Sequence, residues 1–327
     1  MHDLPVRCLE KDYGSLGSLV IACGIPQRVI QAIARSVPDL TTLRAEHLQI
    51  ESFFALPWWS RLTTLYYGAH DRDRGSAGCI QILDGITQCT LLRKLTLSMY
   101  EIRFTTDEIA LYNSRSLPNL RRLDFVNVNC AMLFECPNLT HLSYTTNHFM
   151  PPYVASTVIH DTNEFRLERL MYCEIDSPFM GQYLAPLAAP NLQDLRIVTS
   201  WSSVKLHVLN VGVHVLKSTL EKMEPLKNLK MSRVEIAKTG LEILVIDPKD
   251  TMRSILCPEL VTLDVDCSTP EHGGLKPILK EVAESRRIAG IPLESITYGN
   301  SRRKRWTCVK DDSGSPSLPI YSFHPLT

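Results

Sequence analysis

The apolar residues of this chain recur in one short phrase. Val37-Pro38-Asp39-Leu40, Leu117-Pro118-Asn119-Leu120, Cys136-Pro137-Asn138-Leu139, Ala189-Pro190-Asn191-Leu192 and Cys257-Pro258-Glu259-Leu260 are each followed by a second leucine three residues on. Without the proline, the same Leu-x-x-Leu-x-apolar signature stands at Leu62-Leu65-Tyr67, Leu92-Leu95-Leu97, Leu167-Leu170-Tyr172, Leu241-Leu244-Ile246 and Leu293-Ile296-Tyr298. Alternation of this kind specifies a short strand whose leucines face inward and whose intervening side chains face out. Successive first leucines lie 22, 30, 28, 19, 28, 25, 49, 19 and 33 residues apart. The longest gap must hold one more unit, and both Leu206-x-x-Leu209-x-Val211 and Leu226-x-x-Leu229-x-Met231 fit it.

Between the strands the pattern turns helical. Cys79, Ile82, Leu83 and Ile86 share one helical face, and Leu275, Ile278, Leu279 and Val282 form another, which Gly290 caps and Pro292 ends. Thr106-Asp107-Glu108 reads as a helix start. A proline before the strand cannot continue the returning helix and biases its predecessor toward extended geometry. Units of this length, each burying leucines against the next, predict an α/β leucine-rich-repeat solenoid: a horseshoe with a parallel concave sheet and outer helices or irregular returns. About eleven irregular repeats are expected over residues 37–300. In residues 1–36, Ile25, Val29, Ile30 and Ile33 predict a helical cap on the first repeat. Residues 301–327, with the run Arg302-Arg303-Lys304-Arg305, read as a polar tail whose basic run is either a solvated charge cluster or a nuclear-localisation signal.

Composition narrows the function. Thirty-five basic residues balance 35 acidic ones, which argues against wrapping a phosphate backbone, so no nucleic-acid partner is expected. No apolar stretch approaches a membrane span, and Met1-His2-Asp3 does not begin like a signal peptide, so the expected location is cytoplasmic or nuclear. The 10 cysteines form no Cys-x-x-Cys pair; Cys89, Cys136 and Cys257 each stand three residues before a repeat leucine, where a small buried residue suits. Trp58-Trp59 is expected to pack between repeats, and the sequon Asn138-Leu139-Thr140 contains a core leucine. His207 and His214 would share a helical face, without carboxylate or cysteine companions. The chain carries no phosphate-binding Gly-rich loop, nucleophile elbow, His-Glu-x-x-His helix or deaminase zinc pattern. Neither catalysis nor a cofactor or metal is expected.

The phrase Cys-Pro-Asn-Leu-Thr-His-Leu, the irregular repeat lengths and the closing Glu284-Ser285-Arg286-Arg287-Ile288-Ala289-Gly290-Ile291-Pro292-Leu293 resemble fungal F-box proteins with degenerate leucine-rich repeats, over roughly residues 37–300. The resemblance implies substrate recognition for a cullin-type ubiquitin ligase, with an N-terminal F-box on the ligase adaptor and the repeats on the substrate. Leu4-Pro5 opens like an F-box, but Gly14, Gly17, Gly24 and Pro26 interrupt the segment after it, so the F-box is degenerate or missing. The alternative is a free-standing scaffold or inhibitor without ligase association. Outward strand positions are expected to form the partner surface. Lys94, Arg122, His141 and Arg169 occupy third positions, and Arg44, Tyr66 and Arg196 occupy fifth positions, so the earlier units present a mainly basic stripe suited to an acidic segment of a protein. Asp247, Asp264 and Asp266 are expected to turn the later face acidic.

Overall fold

In a computed structural model, the described residues are 17–21, 29, 32, 36–46, 54, 56–69, 75–99, 115–128, 134–145, 165–177, 187–198, 207–232, 238–246, 255–266, 275–300, 304–310 and 321–325. The chain folds as two compact units, Met1–Pro151 and Pro152–Thr327. Each is an α/β unit of solenoid-like design built on a parallel sheet.

The first unit carries β1 (Ser18–Ile21), β2 (Thr42–Glu46), β3 (Thr64–Ala69), β4 (Lys94–Met99), β5 (Arg122–Val126) and β6 (His141–Thr145), hydrogen-bonded in that order and all parallel. Register aligns the repeat phrase, so that Leu43, Leu65, Leu95, Leu123 and Leu142 form one row across the sheet. Ala45, Tyr67, Leu97, Phe125 and Tyr144 form the next. Both rows are buried, and removing a leucine side chain fully from water contributes roughly 1.5–3 kcal/mol. Helix α1 (Gly75–Thr87) adds Ile82, Leu83 and Ile86 to that core. Trp58 and Trp59 are buried as expected, with the Trp59 indole donating to the Gly85 carbonyl at 2.8 Å. Glycine is required at 85 because a Cβ there would collide with the Phe54 ring, which sits 5.1 Å from that of Trp59.

The second unit has the parallel run β8 (Tyr172–Asp176), β10 (Asp194–Val198), β11 (Asn228–Ser232), β12 (Thr262–Asp266) and β13 (Ser295–Asn300). A separate parallel pair joins β7 (Phe165–Arg166) to β9 (Leu187–Ala188). Helices α2 (His207–Leu220), α3 (Lys238–Glu242) and α4 (Leu275–Ile288) form part of the returns. Across the two units, the expected inward leucines Leu40, Leu43, Leu120, Leu123, Leu139, Leu142, Leu192, Leu195, Leu260 and Leu263 are all buried.

The same turn precedes β4, β5, β6, β8 and β12. The amide of the first repeat leucine donates to the carbonyl three residues back, from Leu92 to Cys89 at 3.0 Å, Leu120 to Leu117, Leu139 to Cys136 and Leu170 to Leu167 at 3.1 Å, and Leu260 to Cys257 at 3.0 Å. The turn's first residue is buried, which explains the cysteines at 89, 136 and 257. Burial pushes these three thiols, and that of Cys173, up to about 12. Within each unit the turns are also tied together. Asn119 Nδ2 donates to the Thr90 carbonyl at 2.8 Å, Asn138 to Pro118 at 2.7 Å and Asn191 to Glu168 at 2.7 Å, each a carbonyl at the same place in the preceding turn.

Four expectations need correction. The repeats begin before Leu40: Leu16-Gly17-Ser18-Leu19-Val20-Ile21 is itself the repeat phrase, residues 18–21 form a strand and Leu19 pairs with Leu43, while Ile25, Ile30 and Ile33 of the expected cap helix lie outside the described residues. Leu241-Leu244-Ile246 is helix and turn, while Leu226-Leu229-Met231 supplies β11 and Leu209 lies in α2. The strand after Leu167 uses Leu170-x-x-Cys173-x-Ile175, three residues later than expected, because the buried first residue of the turn, Leu167, mimics the first repeat leucine. Residues 304–310 and 321–325 are not polar tail: β14 (Lys304–Lys310) pairs antiparallel with β13, and β15 (Tyr321–Pro325) with β14. Alternation in Trp306-Thr307-Cys308-Val309 lets the segment pair and occupy an otherwise open sheet edge.

The closing phrase acquires a physical meaning in α4. Arg286 is buried and donates to the carbonyls of Leu256 at 3.1 Å and Cys257 at 2.6 Å. Cys257 has φ of +47°, an unusual conformation for a residue with a side chain. Ser285 Oγ accepts from the Ile246 amide at 3.1 Å. Gly290, at φ +80°, ends the helix: its amide donates to the Arg287 carbonyl and that of Ile291 to the Arg286 carbonyl.

Candidate protein-binding surface

Because leucines face inward at every rung, the third and fifth positions of each strand form the outward face. In the first unit, register places Thr42, Thr64, Lys94, Arg122 and His141 side by side in the third row. The fifth row runs Arg44, Tyr66, Thr96, Asp124 and Ser143. Arg44, Lys94, Arg122 and His141 are exposed. So are Arg93 and Arg121, the residues immediately before β4 and β5, where the Arg121 amide donates to the Arg93 carbonyl at 2.9 Å.

Each basic group has its own neighbours. Arg44 pairs with Glu46 at 2.6 Å and lies 4.4 Å over the Tyr66 ring; the hydrogen bond to Glu46 raises its pKa. Arg122 Nε is 2.9 Å from an Asp124 oxygen, and Asp124 also accepts from Thr96 at 3.3 Å. His141 Nδ1 lies 2.9 Å from Thr140 Oγ1. Residues 93–99 and 121–126 together contain four basic residues and one acidic residue, leaving a local excess of positive charge on adjacent rungs.

The second unit differs. Its third row is Tyr172, Asp194, Asn228, Thr262 and Ser295, and its fifth is Glu174, Arg196, Lys230, Asp264 and Thr297. Arg196 pairs with Glu174 at 3.2 Å and Lys230 with Asp264 at 3.0 Å. Asn228 donates to Asp194 at 2.5 Å, and Thr262 donates to Asn228 at 2.6 Å. Tyr172 donates to Glu174 at 2.7 Å; burial, then Glu174, push its hydroxyl up to about 12. None of these ten residues is fully exposed.

The structure therefore gathers Arg44, Tyr66, Lys94, Arg122 and His141 on one face of the first unit, while the other two expected residues belong to the second unit. Arg169 is exposed in the turn between Leu167 and Leu170, not on a strand, while Arg196 lies on the outward face of the second unit and is ion-paired. The later acidic face is not acidic at Asp264, which Lys230 neutralises; Asp247 lies outside the described residues. Glu174 and Lys230 were hidden by the shifted phase at Leu167 and by the open choice between Leu206 and Leu226. Alternation after Tyr172, in Cys173-Glu174-Ile175-Asp176, was the available signal. Arg93 and Arg121, at second positions, carry no periodicity cue of their own.

Asn138 of the sequon holds a turn together and Leu139 is buried. His207 and His214 both lie on α2. Among the described residues, no group of three or more His, Cys, Asp or Glu is placed to hold a metal ion, and no helix is long and apolar enough to cross a membrane.

No family model and no curated protein matches the chain. Among solved structures, the crystal structure of a Bacteroides fragilis protein is similar over 83% of this chain and 70% of its own, with 15% identity and a TM-score of 0.37.

Proposed function

We propose that the chain is a leucine-rich-repeat solenoid that binds another protein on the outward face of its first unit and performs no catalysis. The observation that carries this reading is the exposed basic group Arg93, Lys94, Arg121, Arg122 and His141 on adjacent rungs of a hydrogen-bonded sheet. Strands about 4.8 Å apart sum same-sign charges into a field that steers an acidic segment of a partner.

The resemblance to fungal F-box proteins assigns the bound partner as the substrate of a cullin-type ubiquitin ligase, in the cytoplasm or nucleus. The rival reading, a free-standing scaffold or inhibitor, draws support from β1: Ser18–Ile21 is a rung of the sheet in a stretch where an adaptor-binding module would need helices. Affinity capture with the whole chain tests the choice. Co-purification of ligase adaptor and cullin supports the ligase role, whereas a stoichiometric partner without ligase subunits overturns it in favour of the scaffold.

A further inference from the structure

Resting on the reading that the first unit's outward face binds protein, we infer that the partner element seated there is an α-helix with an acidic stripe, laid across β4, β5 and β6 along Lys94, Arg122 and His141. Register places these three residues on successive strands. With strands about 4.8 Å apart, the row from Lys94 to His141 spans roughly 9.6 Å. On a helix, acidic residues at i, i+3 or i+4, and i+7 lie on one face, and at 1.5 Å per residue the outer two are about 10.5 Å apart. On an extended segment, same-side residues at i, i+2 and i+4 spread over roughly 13.4 Å. The helix is out of step with the row by about 1 Å, the extended chain by about 4 Å.

Arg93 and Arg121 are exposed one residue before Lys94 and Arg122 and add positive charge at the start of the same two rungs. Asp124, hydrogen-bonded to Arg122 and Thr96, marks one border of the row and disfavours acidic residues beyond it.

The test uses the whole chain and two synthetic peptides of about 15 residues. One is alanine-rich and helical with glutamates at i, i+3 and i+7; the other has the same three glutamates at alternate positions and a central proline. Binding is read by fluorescence anisotropy at low and high salt, against wild type and the Lys94→Glu, Arg122→Glu double variant, whose thermal melting confirms that it folds. The helical peptide is expected to bind roughly tenfold tighter than the extended one, with the advantage lost in the double variant and reduced at high salt. Equal or tighter binding of the extended peptide, still lost in the double variant, overturns the helix and leaves the surface standing. Peptide binding indifferent to the double variant, or no binding of either peptide, overturns the helix and counts against the surface as well. Stronger binding of a single-stranded oligoribonucleotide than of either peptide overturns both.

Discussion

In the first unit, Arg44, Lys94, Arg122 and His141 stand exposed among the outward positions; in the second, each of the ten third- and fifth-position residues is at least half-buried. The two units use the same phrase and share the turn seen before β4, β5, β6, β8 and β12, so the backbone is not the source of the difference. It lies in who stands opposite whom. The fifth row of the second unit holds two cross-strand ion pairs, Glu174 with Arg196 and Lys230 with Asp264, on either side of the like-charged neighbours Arg196 and Lys230. Third-row neighbours there form a hydrogen-bonded chain from Thr262 through Asn228 to Asp194. In the first unit, Lys94 faces Arg122, and Arg122 faces His141. Ion pairs of the first unit run along a strand, Arg44 with Glu46 and Arg122 with Asp124, while those of the second run across strands, and exposed pairs contribute little stability in either case.

The largest expected effect is on the shared core. Leu142→Ala in β6 should cost about 2 to 5 kcal/mol in urea unfolding; a near-neutral result would remove Leu142 from the buried row. Arg286→Ala comes next, because it strips a charged donor from two carbonyls and should cost about 2 to 4 kcal/mol. Hydrogen exchange should rise first in the turn around Cys257, within the second unit. A rise confined to the first unit would contradict the clamp.

The buried thiols predict a pH dependence. Folding raises the pKa of Cys89, Cys136, Cys173 and Cys257 from 9.0 to about 12. With folded values above unfolded ones, the stability they contribute is complete below about pH 9 and declines as pH rises toward 12. Thiol-reactive dye at pH 8 should leave these four unlabelled until denaturant is added; rapid labelling of the native chain at these positions would contradict their burial. The smallest effect is expected at Arg169: Arg169→Glu, in an exposed turn, should change stability by no more than about 0.5 kcal/mol and leave partner binding unaltered.

The repeat was legible because burial repeats: the strands after the five proline-containing phrases all appear, and the expected leucines are inside. Phase was harder to read. In Leu167-Glu168-Arg169-Leu170 the turn's buried residue and the strand's first buried residue are both leucine, three apart, so two registers satisfy one apolar pattern. That ambiguity carried Arg169 onto a strand and kept Glu174 off one. Likewise Leu241 and Leu244 are buried in a helix and turn, where apolar spacing of three also fits. Cross-strand pairing of charges was illegible for a different reason. It depends on register between segments tens of residues apart, and Lys230 with Asp264 becomes a pair only once Leu229 is known to lie beside Leu263. The Leu16-x-x-Leu19-x-Ile21 phrase, by contrast, was in plain view and obscured by the glycines around it.

The contrast between the two faces is tested most directly by capturing the natural partner with two double variants of the full chain. Lys94→Glu with Arg122→Glu reverses the exposed row, and Arg196→Glu with Lys230→Glu breaks the paired one. The account predicts that the first variant loses the partner, most strongly at low salt, while the second retains it and both keep the wild-type fold by circular dichroism. Retention by the first variant together with loss by the second would place binding on the second unit and contradict it.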